Sequence, residues 1–330
     1  MSSSCLYCDG PPVLLRAHTG HPLCRPCFLK AVEEDVHQTI QEFGLIRPEE
    51  RVALGVSGGK DSSVMVEILH TLQLRYPEAY GSVEYILLAI DEGIAGYRGD
   101  ALECLARLQK RYPYPLHILS FEERYGRTLD RIVHACGTDL EEAAPQTACS
   151  FCGILRRNAL TLGCIEANAR KIATGHNADD NAETILLNVI RGDAGKLLRA
   201  SGPSSDLEQG AARIKPLWRI TQRDVVMYAF HAKVPYHSVE CPYAVGALRG
   251  RPRQLLTQLS RLPATRDVAL RTLSATRSLK LRATGSDAGG PKLRTCPGCS
   301  SPLKGSRCQC CELRKAITGD ELRAVLRVKS

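Results

Sequence analysis

A turn of seven residues, Ser57, Gly58, Gly59, Lys60, Asp61, Ser62 and Ser63, separates two segments of different periodicity and constrains this chain most. Before it, Arg51 to Val56 is a short, mainly apolar run of strand length; after it, Val64, Met65, Ile68, Leu69 and Leu72 recur at helical spacing and predict a helix over 62–76. A glycine- and hydroxyl-rich turn between strand and helix presents backbone N–H groups at the positive end of the helix, which suits an anion such as pyrophosphate. It is not a Walker A loop: Gly55 and Gly59 enclose three residues rather than four, and Asp61 follows Lys60 where Ser or Thr belongs. A bare carboxylate beside phosphate is repelled, so Asp61 points to Mg2+ bridging a polyphosphate. An ordinary strand–helix turn would explain the glycines and serines by conformation alone. It would not explain the lysine and aspartate.

The rest of the chain alternates in the same way. Val83–Ile90 reads as a strand ending at Asp91 and Glu92, 99–110 as a helix, Leu116–Phe121 as a strand and 150–168 as a helix. Lys171–Thr174 reads as a short strand leading into Gly175, His176, Asn177, Ala178, Asp179 and Asp180, with a helix through about Arg191. This alternation predicts an α/β fold with a doubly wound, mainly parallel sheet and ligands beyond the carboxyl ends of its strands. Ser57 and Gly175 both fall at such ends and are expected to face one crevice. A helix through about Phe43 precedes this region, an acidic loop runs from Asp139 to Gln146, and 283–291 has the composition of a linker.

Fifteen cysteines in 330 residues, without a secretory signal, argue for metal ligands and reactive thiols in the cytosol over disulfides. No apolar stretch approaches the roughly 20 residues that span a bilayer, so no membrane association is expected. Cys5, Cys8, Cys24 and Cys27 form two knuckles with two intervening residues each, as do Cys296, Cys299, Cys308 and Cys311. Such pairs close a tetrahedron around a structural Zn2+ and supply folding energy to segments too short for a core. His18 and His21 are alternative ligands in the first set, and Cys310 is read as a bystander in the second. Cys149, Cys152 and Cys241 form an incomplete third set. Three thiolates suit an iron–sulfur cluster with one iron lacking a protein ligand; two of them suit a redox pair carrying persulfide sulfur. The string from Cys149 to Cys152 stands at the start of a predicted helix, where a thiolate of lowered pKa is expected. Three inert buried cysteines is the remaining alternative, and Cys104, Cys136 and Cys164 are assigned to that class. The net charge of +9 is concentrated: eleven arginines and lysines between Leu248 and Thr295 face only Asp267 and Asp287. This is read as a footprint for a phosphate backbone, against the alternative of a solvated helical face.

The 57–63 turn resembles the PP-loop of the ATP pyrophosphatase superfamily. Together with Cys149 to Gly153, Thr174 to Asp180, the Cys241-Pro242-Tyr243-Ala244 string and cysteine ribbons at both ends, it resembles the tRNA thiolation branch, the TtuA family. Within that branch the likeness is to the catalytic subunits of cytosolic tRNA 2-thiolation complexes. The resemblance implies an adenine nucleotide alpha hydrolase-like domain that binds ATP and Mg2+ at Gly55, Val56, Ser57, Gly58, Gly59, Lys60, Asp61, Ser62, Ile90, Arg156, Gly175 and Asp180. Some relatives carry lysine where Arg156 stands. It further implies that Asp61, Lys60, Cys149 and Cys241 act in catalysis, and that Cys149, Cys152 and Cys241 hold a 4Fe–4S cluster or work as persulfide and disulfide partners. Uracil O2 of a wobble uridine is adenylated and then exchanged for sulfur from a ubiquitin-like thiocarboxylate carrier. A second, non-catalytic subunit or a homodimer is implied as well. The expected organisation is a zinc finger and linking helix over 1–45, the PP-loop domain over 46–247, a basic helical segment and linker over 248–290, and a zinc ribbon over 291–330. A 2-thiocytidine-forming relative and a non-catalytic tRNA-binding scaffold are the competing readings.

Overall fold

The computed structural model describes residues 4–135, 145–205, 211–244, 248–279, 294–303 and 307–319. Cys136, most of the acidic loop, the 283–291 linker and the basic residues Lys280, Arg282 and Lys292 lie outside the described residues.

Among the described residues, six strands make the central sheet: β1 (Arg51–Val56), β2 (Glu84–Asp91), β3 (Leu116–Ser120), β4 (Lys171–Thr174), β5 (Ser204–Ser205) and β6 (Ala212–Ile214). Their order is β3-β2-β1-β4-β6-β5, parallel except for the edge strand β5. Ala53 pairs with Ile86 on one side and Ile172 on the other, so β1 lies at the point where the chain reverses its direction of travel across the sheet. Loops that leave β1 and β4 diverge there and open the crevice expected of this topology. The strands read as apolar runs because both faces are covered. Leu54, Leu87 and Ala173 join the core beneath one face, whereas their neighbours Ala53, Leu88 and Ile172 join a second cluster with Cys164 and Ala169 on the other.

Among the described residues, nine longer helices accompany the sheet: α1 (Arg25–Phe43), α2 (Lys60–Arg75), α3 (Arg98–Arg111), α4 (Pro145–Glu166), α5 (Ala178–Ile190), α6 (Gln222–Ala232), α7 (Gly250–Ser260), α8 (Val268–Ser278) and α9 (Gln309–Thr318). Apolar residues of α1, α2, α3 and α6 share the first core, and α4 covers the opposite face. Helix α4 begins at Pro145, five residues before the expected 150, so Cys149 and Cys152 sit inside its first turns rather than ahead of it. Proline at a first helical position loses no hydrogen bond, because that N–H has no partner in any case. Neither β5, β6 nor α6 was foreseen. Strands of two and three residues are too short for a periodic signal.

The arginine-rich segment folds back onto α5. Leu256, Ala269 and Leu273 pack with Ile185 and Trp218, making α7 and α8 part of a third core. Arg249 and Arg253 both reach the buried Glu183, at 2.7 and 2.8 Å. Arg271 pairs with Asp267, and Arg277 contacts Glu42 and covers the Phe43 ring at 4.6 Å. Four arginines counted as a phosphate footprint therefore spend charge on intramolecular pairs that hold this segment in place.

Each cysteine quartet belongs to a small ribbon. The first carries a hairpin, Leu14–Leu15 with Pro22–Leu23, and leads into α1. Here His18 is not a zinc ligand. Its Nδ1 lies 3.1 Å from Asp224 of α6, and Arg16 bridges Asp35 at 2.6 Å and Asp224 at 3.5 Å. The second ribbon carries the hairpin Arg294–Thr295 with Pro302–Leu303, followed by α9, whose Leu313, Ala316 and Ile317 pack with Leu155 of α4 and Phe121.

Burial opposes the charge of Asp224, but the nearby His18 ring and the Arg16 guanidinium outweigh it and hold the carboxyl below its ordinary range. A depressed folded pKa contributes stability that is present above the unfolded value and lost as pH falls through the folded one. Asp224→Asn is expected to cost about 3 kcal/mol at neutral pH, and the difference from the parent chain should close in denaturant titrations as pH drops below the ordinary carboxylate value of 3.8.

Candidate active site

The serines of the 57–63 turn bind the loop to itself. The Ser57 N–H donates to Ser62 Oγ at 3.2 Å, Ser62 Oγ and Ser63 Oγ donate to the Gly59 carbonyl at 2.9 and 3.1 Å, and the Gly59 N–H donates to Ser57 Oγ at 3.3 Å. Gly58 has φ of +73°, and a Cβ there would stand 2.9 Å from the His237 ring and 3.0 Å from the Ala101 carbonyl. That space is taken because His237 pairs with the loop. Its N–H donates to the Gly58 carbonyl at 2.9 Å and its Nε2 donates to the Ser57 carbonyl at 3.2 Å. Gly175 meets the loop from the other side. A Cβ on it would lie 2.7 Å from the Ser62 nitrogen and 2.8 Å from the Asp61 carbonyl carbon, so only glycine lets the β4 turn rest on the first turn of α2.

This contact brings the two motifs together. Asp61 Oδ1 accepts from Gln222 Nε2 at 3.2 Å and from Asn177 Nδ2 at 3.5 Å, and Asn177 Nδ2 also donates to Gln222 Oε1 at 2.8 Å. Asn177 caps α5 reciprocally: its side chain accepts from the Asp180 N–H, while Asp180 accepts from the Asn177 N–H. Asp179 accepts the Gln222 N–H at 2.7 Å. Burial raises the Asp61 pKa, the nearby Asp180 carboxylate adds to the rise and Lys60 opposes it. Two carboxylates beside an anion-binding turn form an all-oxygen donor set that fits Mg2+.

A cleft of about 260 Å3 opens here, lined by nine of the expected residues: Gly55, Val56, Ser57, Asp61, Ser62, Ile90, Arg156, Gly175 and Asp180. Gly58 and Gly59 instead face His237, and Lys60, the first residue of α2, is not part of the cleft lining. Sequence reasoning did not select Glu92, Leu160, Thr174, His176 or Arg249, which complete the wall. Glu92 follows a strand end and His176 lies inside a quoted motif, so both carried a signal. Arg249 reaches the Asp180 carbonyl at 2.7 Å only through the packing of its segment on α5. Glu92 holds Arg156, with Nε 2.5 Å from Oε1, so the cation arrives at the cleft already paired. Crowding by protein atoms, reinforced by Lys215 and Arg249 against the pull of Asp180, lowers the His176 pKa to about 4 although the ring reaches solvent. It is neutral at pH 7.

The three central cysteines adjoin this cleft through α4. Cys149, Cys152, Arg156 and Leu160 recur at helical spacing on one face, and the Cys149 thiol donates to the Tyr243 carbonyl at 3.1 Å, close to Cys241. Burial pushes the Cys152 thiol up to about 11 despite Arg156, and it raises Cys149 with help from Cys241. The expected lowering by a helix terminus is therefore overturned, because both residues lie within the helix and are desolvated.

Sulfur spacing separates the sets. In each terminal quartet all four sulfurs lie within 4.8 Å of one another. Close pairs are 3.6 and 3.7 Å apart in the first and 3.6 and 3.4 Å in the second. A tetrahedral Zn–S bond of about 2.3 Å demands roughly 3.8 Å between sulfurs, so both quartets fit zinc. Cys149, Cys152 and Cys241 are not gathered that closely. Three thiolates without that spacing do not form a closed single-ion site. Cys310 is buried beside the second quartet with its thiol raised to about 12 by burial, and Cys104 and Cys164 are buried, with their thiols likewise raised.

Because the raised Asp61 pKa marks a destabilising charge in the ligand-free chain, Asp61→Asn should raise the melting temperature without nucleotide by a few degrees. The same variant should lose Mg2+-dependent nucleotide binding in calorimetry. Gly175→Ala should cost about 1–3 kcal/mol of stability and weaken MgATP binding, because the new methyl group meets rigid backbone.

Comparison with known proteins agrees with this geometry. The profile of the PP-loop domain family matches residues 29–259. Cytoplasmic tRNA 2-thiolation protein 1 of Danio rerio is 41% identical over 324 residues, covering 96% of this chain and 89% of that protein. Its counterpart from Chlamydomonas reinhardtii is 40% identical over 314 residues, covering 95% and 84%. Among solved structures, the U34-tRNA thiolase NcsA from Methanococcus maripaludis with its [4Fe-4S] cluster superposes with a TM-score of 0.74 at 27% identity, covering 96% of both chains. A match of this extent, on a chain whose loop and second motif meet in space, places it in the PP-loop domain family and, within that, in the family of cytoplasmic tRNA 2-thiolation protein 1.

Proposed function

We propose that this chain 2-thiolates the wobble uridine of tRNA, using ATP to activate uracil O2 and sulfur delivered at Cys149, Cys152 and Cys241. The observation that carries the reading is the shared helix: α4 places Cys152 one turn from Arg156, and Arg156 lines the cleft that contains the 57–63 loop. A nucleotide-activated carbonyl and a sulfur centre would thus meet at one wall. The names of the similar proteins, and the cluster in the similar archaeal thiolase, support the same assignment.

In this reading the cleft-lining residues Gly55, Val56, Ser57 and Ser62 cradle the phosphates, Lys60 at the start of α2 and the Glu92-paired Arg156 offset their charge, and Asp61 with Asp180 holds Mg2+. Uracil O2 attacks the α-phosphate, the bond to the β-phosphate breaks and pyrophosphate leaves. Sulfur then bonds to C2 and the C2–O bond breaks, so AMP departs with the former carbonyl oxygen. A 4Fe–4S cluster held by the three cysteines would supply an open iron position for a sulfur ligand. The chain's contribution there is the three thiols, of which Cys152 is the most deeply set, with Arg156 beside it to offset negative charge. The sulfur source is a ubiquitin-like carrier ending in a thiocarboxylate, and a second non-catalytic subunit or a second copy completes the assembly in the cytoplasm.

Cys149→Ala and Cys241→Ala should each abolish 2-thiouridine in tRNA nucleosides resolved by mass spectrometry while pyrophosphate release continues. Asp61→Ala should abolish both and leave tRNA affinity within about a few-fold, since phosphate-backbone contacts dominate that affinity. Full thiolation in the cysteine variants, or 2-thiocytidine as the product lost, would refute the assignment.

A further inference from the structure

Both ribbons are anchored through buried polar contacts, and the two anchors fall on different helices of the active site. Asp224, 2% exposed, receives His18 and Arg16 from the first ribbon at the start of α6. Two residues earlier, Gln222 supports Asp61 and Asn177 through its side chain and Asp179 through its N–H. The same turn is fixed by Thr221, whose Oγ1 accepts the Asp224 N–H at 3.1 Å. Any rotation of the α6 terminus would move the Gln222 amide off the Asp61 carboxylate.

The second ribbon grips α4. Asn158, 1% exposed, donates from Nδ2 to the carbonyl of the zinc-ligand candidate Cys299 at 2.6 Å and to Ser301 Oγ at 3.0 Å, while its Oδ1 accepts the Tyr125 hydroxyl at 2.9 Å. Ile154 packs against the cysteine cluster of the ribbon. Asn158 lies two residues from Arg156, about 200° around the helix, so the ribbon holds the face turned away from Cys149, Cys152 and Arg156. A face fixed by three hydrogen bonds sets the rotation of the helix, and with it the direction of the opposite face.

We propose that the two ribbons position different halves of the site: the N-terminal ribbon orients the carboxylates of the nucleotide half through Asp224 and Gln222, and the C-terminal ribbon orients Cys149 and Cys152 of α4 through Asn158. Asp224 and Asn158 are positioning residues, each acting through its helix. The inference rests on the division of the cleft into nucleotide and sulfur halves but not on which nucleoside is modified.

The test uses the full-length chain with both zinc sites filled, as counted by elemental analysis. It reads two quantities that do not require turnover. One is the affinity for Mg2+ with a non-hydrolysable ATP analogue; the other is the rate of iodoacetamide alkylation at Cys149, Cys152 and Cys241, resolved by peptide mass spectrometry. Asn158→Ala and the milder Ser301→Ala should speed alkylation of Cys149 and Cys152 by about ten-fold, with Cys241 as the unaffected reference, while nucleotide affinity changes by less than about two-fold because Glu92 holds Arg156. Asp224→Asn and the milder His18→Ala should weaken nucleotide binding by about ten-fold and leave alkylation unchanged. Should Asp224→Asn or Asn158→Ala fail to fold, its single-contact partner variant gives the same readout. Parallel changes in both quantities for either pair would reduce the ribbons to general stabilisers, and no change in either would sever them from the site. Both outcomes overturn the proposal, and neither depends on whether thiolation is the reaction.

Discussion

The approach of Gly175 to the first turn of α2 is the contact on which the site depends. With the position of a Cβ only 2.7 Å from the Ser62 nitrogen, the β4 turn and the 57–63 loop touch through backbone alone. Closeness of this kind is what the switch point of a parallel sheet provides and what a side chain would spoil. Everything polar in the nucleotide half follows from it. Asn177 reaches Asp61 while capping α5, Gln222 bridges the two, and Asp180 comes near enough to raise the Asp61 pKa. The electrostatic tension between these carboxylates is a consequence of the fold. It is also what a divalent cation would relieve.

Helix α4 carries the second theme. One of its faces offers two cysteines and an arginine to the site, and the other is bound to the C-terminal ribbon through Asn158 and to the core through Leu155. Such a helix transmits orientation, because its two faces cannot rotate independently. The N-terminal ribbon stands in a comparable relation to α6 through Asp224. Segments too short to form cores of their own are thus tied to helices at either side of the crevice. The arginine-rich helices α7 and α8 add a third support on α5, with Glu183 taking two of their charges.

Much of this was legible in the sequence because the relevant chemistry is local. Two residues between cysteines, a strand followed by a glycine- and serine-rich turn, and an apolar helical stripe are patterns within a few residues of one another. They determined the parallel α/β fold, both cysteine quartets that could hold a metal ion and nine of the residues lining the cleft. Long-range relations were not legible. Arg249 looked like one charge among eleven, yet it is bonded to Glu183, 66 positions away, and lines the cleft. His18 looked like a spare zinc ligand, but Asp224 claims it from a distant helix. The thiols of Cys149 and Cys152 were expected to be acidic from their place near a helix start, whereas burial raises them.

What the sequence alone determined is therefore the inventory: an anion-binding turn with an acidic residue, three sets of cysteines, and the order of strands and helices that carries them. Only the tertiary structure decided how that inventory is used. It set which carboxylates face each other, which cations are already paired, which face of α4 meets a ribbon and which meets the cleft. The physical reason is that desolvation and charge pairing depend on neighbours brought together across the chain, and local pattern carries no information about who those neighbours will be.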